Sequence, residues 1–190
     1  RAWINFLNPE KLQAHVASLS LYVACYEMLK DSIITKIKDF YTNGFIGGMD
    51  VVSREYHARV LSRKSSVLYS SLEWLLEMEA ITEADLICFE KVKACRNDLV
   101  HNFHGYIMSM QFPDDFDYCF DCVIVLLNKI EIWWILNLEL PINPDLDPER
   151  VDVSQITPGP IMTIQIIREV MSGNTYLLDI FLDAVNSIDN

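Results

Sequence analysis

A single long helical pattern occupies the first part of the chain and limits the folds open to it. Pro9 stands where a first helical turn tolerates proline. Apolar residues then recur every three or four positions up to Phe40: Leu12, Val16, Leu19, Val23, Tyr26 and Leu29. Because this spacing puts the apolar side chains on one face, the pattern predicts a long amphipathic helix that buries that face against other helices.

Three more helical patterns follow, separated by clear breaks. The stretch TNGFIGGMD, with three glycines, ends the first pattern. Thr82 and Asp85 have the form of a capping box, in which side chains satisfy the free amides at a helix start. Gly105 offers a C-terminal stop to the helix that begins at Thr82. The three patterns span residues 53–78, 82–105 and 116–138.

These patterns predict an all-α protein. Residues 1–140 are expected to form an up-and-down four-helix bundle. Residues 141–160 contain five prolines and are expected to form an extended connector. Residues 161–190 are expected to form a C-terminal helical extension, with helices at about 161–172 and 175–188. Two roles remain open for the extension: it covers the bundle, or it reaches a second subunit.

Composition and cysteine usage indicate a cytoplasmic protein. Hydrophobic residues make up 51% of the 190 residues, enough to bury the core of one domain. The five cysteines are an odd number and lie within apolar helical patterns. Buried thiols in a reducing compartment explain them better than a disulfide framework does.

Membrane, metal and cofactor sites are not expected. The long apolar run CVIVLLNKIEIWWILNLEL carries Lys129 and Glu131 near its middle, where a membrane span would be costly. We therefore interpret it as a core helix. Cys119 and Cys122 form a C-x-x-C motif, but no second pair of cysteines has chelating spacing. Core thiols are the simpler interpretation, and we expect neither a metal nor a cofactor.

The net charge of −12 is unevenly distributed along the chain. Residues 1–110 hold 12 basic and 13 acidic side chains, for a net charge of −1, whereas residues 111–190 hold 3 and 14, for −11. Two basic groups lie in the first part: Arg54, Arg59, Arg63 and Lys64, and then Lys91, Lys93 and Arg96. They are interpreted either as an RNA-binding surface or as solvated helix faces.

The stretch KACRNDLVHNFHGY, residues 93–106, concentrates the polar residues of interest. Asn97 and His101 are four residues apart and so share one helix face, while Arg96 lies beside them. At the edge of an apolar face these side chains need partners, which are water, each other, or a facing copy of the same chain.

Residues 72–103 resemble the central part of the HEPN superfamily (higher eukaryotes and prokaryotes nucleotide-binding domains), whose mark is arginine, a polar residue, a short apolar interval and histidine. Arg96, Asn97 and His101 match this mark. The helical arrangement extends the resemblance over roughly residues 9–138, although the motif itself spans six residues.

The resemblance implies a homodimeric, metal-independent endoribonuclease of a toxin or antiviral defence system. Arg96 would hold phosphate charge, and His101 would transfer protons to leave a 2′,3′-cyclic phosphate. Asn97 would orient the histidine or the phosphate. Lys93, Arg63 and His104 are candidate substrate-binding residues, although His104 also suits a helix cap.

A second interpretation is a non-catalytic helical interaction module or transcriptional regulator. The chain also shows weaker similarity to the mannitol operon repressors, in a helix start and a charged helix end. Toxins of the HEPN group that a nucleotidyltransferase antitoxin silences carry a tyrosine two residues after the histidine, where this chain has Phe103. Regulation by adenylylation at that site is therefore not expected, while an antitoxin or regulatory protein remains a candidate partner. Exposure of Arg96 and His101 favours the nuclease, and hydrogen bonds within the subunit favour the module.

Overall fold

The computed structural model describes residues 2–144 and 151–188, and helices dominate them, which confirms the all-α class. The helices are α1 (Ala2–Phe6), α2 (Pro9–Phe40), α3 (Arg54–Tyr56), α4 (Val67–Glu77), α5 (Glu83–His101), α6 (Phe103–Ser109), α7 (Phe116–Trp134), α8 (Leu140–Ile142), α9 (Gly159–Met171) and α10 (Tyr176–Ile188). Two π-helical segments cover His57–Leu61 and Ile135–Glu139, and a 3₁₀ turn covers Val153–Gln155. The strands are β1 (Thr42–Ile46) and β2 (Met49–Val52).

The long first helix, α2, has the predicted bounds. The Asn8 side chain caps it by accepting a hydrogen bond from the Lys11 amide at 3.0 Å, and Pro9 occupies its first turn. Leu19 and Leu29 of its predicted apolar face are fully buried in the core, and Tyr22, which the prediction left out, is fully buried with them. The sequence therefore defines α2 by its cap as well as by its periodicity.

Helices α2, α5 and α7 surround the core. The Tyr22 and Phe116 rings lie 5.1 Å apart, and Ser32 donates to Glu131 at 2.6 Å, so α2 and α7 run in the same direction. Helix α5 runs opposite to α7, because its first turn pairs with the late part of α7 through an ion pair between Asp85 and Lys129.

This arrangement differs from the expected up-and-down alternation, in which the first and fourth long helices would be antiparallel. The reason lies in residues 53–78, which form two helical segments where one was predicted. The first comprises α3 and the π-helical His57–Leu61, and the second is α4. Ser70 of α4 bonds the backbone of Lys64 at 3.0 Å, which closes the break between the segments.

The predicted break after α2 contains an antiparallel hairpin that the sequence analysis missed. Strands β1 and β2 pair Ile46 with Met49 across a turn at Gly47 and Gly48. Both glycines have left-handed backbones, with φ of 60° and 81°, which other residues adopt at a cost. The hairpin is short and mostly exposed, and its strand sequences, TNGFI and MDVV, do not alternate apolar and polar residues as a half-buried strand does.

Helix α5 starts as predicted and ends earlier. Thr82 and Asp85 form both halves of the capping box. The helix ends at His101, however, and Gly105 lies inside the short α6. Two contacts hold α6 in place: Tyr106 donates to the Asp98 carboxylate, and a nitrogen of the His15 ring lies 3.1 Å from the Tyr106 carbonyl oxygen. These tertiary contacts outweigh the stop signal.

The C-terminal helices match the predicted extension and differ in their packing. Residues 145–150 of the predicted connector, and residues 189–190, lie outside the described part of the chain. Helix α9 covers α2 and α7 with buried Ile161 and Ile164. Helix α10 leaves large apolar side chains exposed, among them Phe181 at 66%. Within the described residues, none of the helices has the length and apolar character needed to cross a bilayer.

Candidate functional site

Arg96 lies in a groove between α2 and α5 and is held from α2. Its Nη2 donates to the Glu27 carboxylate at 2.6 Å. Its guanidinium carbon lies 5.3 Å from the centre of the Tyr26 ring, within the range of a cation–π interaction. Nη1 lies 3.4 Å from the Asn97 side-chain oxygen, a long hydrogen bond. Arg96 is thus fixed by two neighbours on α2 and one on its own helix.

These contacts use only part of the Arg96 donor set. A guanidinium carries five N–H groups and accepts nothing. Glu27 and Asn97 take one hydrogen from each terminal nitrogen. The Nε atom is buried without a partner among the described residues. The side chain is 28% exposed, and one hydrogen on each terminal nitrogen has no partner among the described residues.

The electrostatics of Glu27 reflect this pairing. Partial burial by itself raises the pKa of the Glu27 carboxyl, but hydrogen bonds from Arg96 and Lys30 outweigh it and hold the pKa below its usual value. The Lys30 ammonium lies 3.2 Å from the carboxylate. Glu27 is therefore ionised near neutral pH and offsets much of the Arg96 charge.

His101 is the last residue of α5 and is exposed. Its imidazole makes no hydrogen bond or ion pair with the residues that the structure describes. Asn97, one turn before it, is partly exposed. The two side chains lie on one helix face, as the four-residue spacing requires, and His101 remains open to water or a ligand.

Lys93 lies one turn before Asn97 and faces α4. Its Nζ donates to the Tyr69 hydroxyl at 2.7 Å and lies 4.5 Å from the centre of that ring. This hydrogen bond raises the pKa of the Lys93 ammonium above its usual value. Lys93 also lies close to Tyr26, the residue that flanks Arg96. The structure thus brings Lys93, Arg96 and Asn97 to one side of α5.

Arg63 and His104, the other two predicted substrate-binding residues, lie elsewhere. Arg63 forms an ion pair with Glu77 at the end of α4, whereas Lys93 bonds Tyr69 near its start. Eight helical residues separate these partners, about 12 Å along the axis. His104 is exposed on α6, and its side chain makes no hydrogen bond with the described part of the chain.

An apolar concavity adjoins the Arg96 groove. Ser20 and Val23 of α2 and Val100 and Phe103 of the α5–α6 corner line a cavity of about 400 Å³. Val100 is 43% exposed although it is apolar. Exposed apolar area beside a polar site is typical of surfaces that bind another protein.

The sequence analysis missed three residues of this site. Tyr26 and Glu27 lie some seventy positions before Arg96, and nothing local in the sequence joins them to it. Asp98 accepts hydrogen bonds from Asn102 and Tyr106, and the latter bond raises the pKa of the Tyr106 phenol to about 12. Asp98 thereby ties α6 to the end of α5.

No protein-family model, no curated protein and no solved structure matches this chain. Across residues 2–144 and 151–188 no group of three or more His, Cys, Asp or Glu side chains is placed to hold a metal ion. The geometry of Arg96, Asn97 and His101 therefore carries the functional argument.

Proposed function

We propose that this protein is an HEPN-like, metal-independent endoribonuclease that acts as a homodimer in a toxin or defence system. Its HEPN-like bundle would consist of α2, α4, α5 and α7. The observation that carries the proposal is the end of α5, where an arginine with a fixed position precedes an exposed histidine by five residues.

The proposed chemistry needs only side chains that the chain supplies. The imidazole of His101 would accept the proton of an RNA 2′-hydroxyl, whose oxygen then attacks the adjacent phosphorus. The bond to the 5′-oxygen breaks, and that oxygen takes up a proton. The free N–H groups of Arg96 would hold the negative charge that builds up on the phosphate. Asn97 would orient His101 or the phosphate, and the products would carry 2′,3′-cyclic phosphate and 5′-hydroxyl ends.

A homodimer would supply the second proton-transfer group that one subunit lacks. Transesterification uses one group to accept a proton and another to donate one, and each subunit presents a single His101. A second copy docked on the exposed Val100 and its apolar concavity would bring the second imidazole to the same phosphate. A two-fold axis there would also pair the two Arg96 side chains.

One observation favours the alternative, a non-catalytic interaction module or transcriptional regulator resembling the mannitol operon repressors. The ion pair between Arg96 and Glu27 is a contact within the subunit, and it neutralises charge that a phosphate would otherwise meet. In that role Arg96 fastens α5 to α2, and the exposed apolar surface receives a regulatory protein.

Cleavage of a mixed RNA pool in the presence of EDTA tests the proposal. We expect the wild type to produce fragments with 2′,3′-cyclic phosphate ends. We expect His101→Ala to lose at least about 100-fold in rate, the usual contribution of proton transfer, and Arg96→Ala to lose at least about 100-fold, the usual contribution of one group that stabilises transition-state charge. His57→Ala is the matched control, since His57 is also an exposed histidine.

Circular dichroism and thermal unfolding of each variant separate catalysis from folding, because Arg96→Ala also removes a stabilising ion pair. A folded wild type without cleavage, or a His101→Ala variant that keeps full activity, supports the interaction module instead.

A further inference from the structure

A second concave site lies where the C-terminal ends of α2, α4 and α7 meet. Five aromatic side chains line a cavity of about 460 Å³: Phe40, Tyr41, Trp74, Trp133 and Trp134. Cavities of about 300 to 1,000 Å³ with mainly apolar walls are typical of small-molecule sites. The sequence analysis interpreted the apolar run that contains the two adjacent tryptophans as a core helix, which accounts for their burial but not for the open space beside them.

The indole rings form rigid walls. Trp74 and Trp134 are stacked, with ring centres 5.8 Å apart and planes at 15°. Trp133 stands across both, at 87° to Trp74 and 82° to Trp134. Because Trp74 and Trp134 are almost fully buried, their orientation is set by the fold. The aromatic side chains of the lining that stay accessible are Phe40, which is 48% exposed, and Trp133, which is partly exposed, and a flat ring can pack against them.

The charged side chains that line the cavity favour an anionic ligand. Three charged side chains line it: Arg59, Arg63 and Glu77. Arg63 and Glu77 form an ion pair and cancel. Arg59 is exposed, and its side chain has no hydrogen bond or ion pair with the described residues. The lining therefore carries one uncompensated positive charge, which opposes a cationic ligand and attracts an anion.

Both π-helical segments found in the described residues border this cavity. His57–Leu61 contributes Arg59, and Ile135–Glu139 contributes Asn137 and Leu138. The π-helix is rare and is concentrated at functional sites. Two such segments at one cavity, on distant parts of the chain, are an observation independent of the charge and the rings.

We propose that this pocket binds a small, flat aromatic anion, with the ring packed against Phe40 and Trp133 and the anionic group on Arg59. The site does not depend on RNA cleavage at the α2–α5 groove, since it shares no lining residue with it. A phosphate or a carboxylate would satisfy the same geometry, so nucleoside monophosphates and aromatic carboxylates are the two sources to separate.

Isothermal titration calorimetry of the full chain tests the proposal. Adenosine 5′-monophosphate and indole-3-acetate are the probes, adenosine and indole are the uncharged rings, and inorganic phosphate and acetate are the anions without a ring. We expect at least one aromatic anion to bind at least about tenfold more tightly than either of its halves, as a charge-assisted hydrogen bond predicts. Which of the two binds identifies the source.

Arg59→Gln is the decisive variant, and Arg54→Gln is its matched control, since Arg54 is an exposed arginine outside the lining. We expect Arg59→Gln to weaken binding at least about tenfold and Arg54→Gln to leave it unchanged. Thermal unfolding verifies that both variants fold. Three results overturn the proposal: neither aromatic anion binds, an uncharged ring binds as tightly as its anion, or Arg59→Gln binds like the wild type.

Discussion

The Arg96 guanidinium has its position fixed by the protein itself, because Glu27 and Tyr26 hold it from the neighbouring helix. Such pre-positioning reduces the conformational entropy lost when a ligand binds. It also lowers the net charge at the groove, since Glu27 is ionised near neutral pH. Any anion bound by Arg96 therefore uses the hydrogens that Glu27 leaves free.

At the scale of single residues, we expect the contribution of Glu27 to stability to depend on pH. The pKa of Glu27 is lowered in the folded protein, so its contribution is complete above the unfolded value of about 4.3 and is lost as pH falls through the folded pKa. The wild type should therefore exceed Glu27→Gln in free energy of unfolding at pH 6, and the difference should disappear once the pH falls below the lowered pKa of Glu27.

Urea unfolding across this pH range measures the Glu27 effect. Glu90→Gln is the control, because Glu90 is an exposed glutamate of α5 without an ion pair to the described residues. Equal stability of wild type and Glu27→Gln at pH 6 would show that the ion pair with Arg96 contributes nothing.

At the scale of residues, the sequence predicted the part of the groove that lies on α5 and not the part that lies on α2. Arg96, Asn97 and His101 lie within six positions of one helix, so helical geometry alone relates them. Glu27 and Tyr26 come from another helix, and their proximity depends on how α2 and α5 pack. Local spacing carries no information about that packing.

Helices that carry both a cap and a periodic pattern start where the sequence predicts. Asn8 and Pro9 start α2, and Thr82 with Asp85 starts α5. The capping box does more than start a helix, because Asp85 also pairs with Lys129 of α7. Burial by itself raises the pKa of Asp85, but hydrogen bonds from Lys129 and Thr82 outweigh it and hold the pKa below its usual value.

At the scale of elements, we expect Thr82→Ala to destabilise the protein by about 1 kcal/mol, the usual cost of losing a helix cap. The Thr82 hydroxyl accepts from the Asp85 amide and donates to its carboxylate at 2.7 Å. Thr157→Ala is the control, since Thr157 is exposed in a loop. Urea unfolding that gives the two variants equal stability would contradict a capping role.

Elements held by tertiary contacts could not be predicted. The Gly105 stop signal is real as a local preference, yet α6 continues through it because Tyr106 is anchored by Asp98 and His15. The apolar periodicity did not predict the π-helical segments either. The sequence therefore placed Arg59 only in a basic group on a predicted helix, whereas the structure places it beside the tryptophans.

In the molecule as a whole, most of the net negative charge belongs to the part of the chain that does not form the candidate groove. The part of the chain that forms the groove, residues 1–110, has a net charge of −1, whereas the remainder has −11. A strongly acidic surface repels RNA phosphates. A nuclease built this way would bind RNA only at the paired grooves of a dimer, where two copies of Arg96 and Lys93 meet one strand.

A mixed-subunit assay tests that account most directly. With wild-type protein held constant, His101→Ala protein is added in equal amount and the subunits are allowed to exchange before RNA cleavage is measured. If both His101 side chains serve one site, inactive mixed dimers form and the cleavage rate falls by about half. An unchanged rate would show that subunits act singly, and wild-type protein without cleavage would contradict the nuclease altogether.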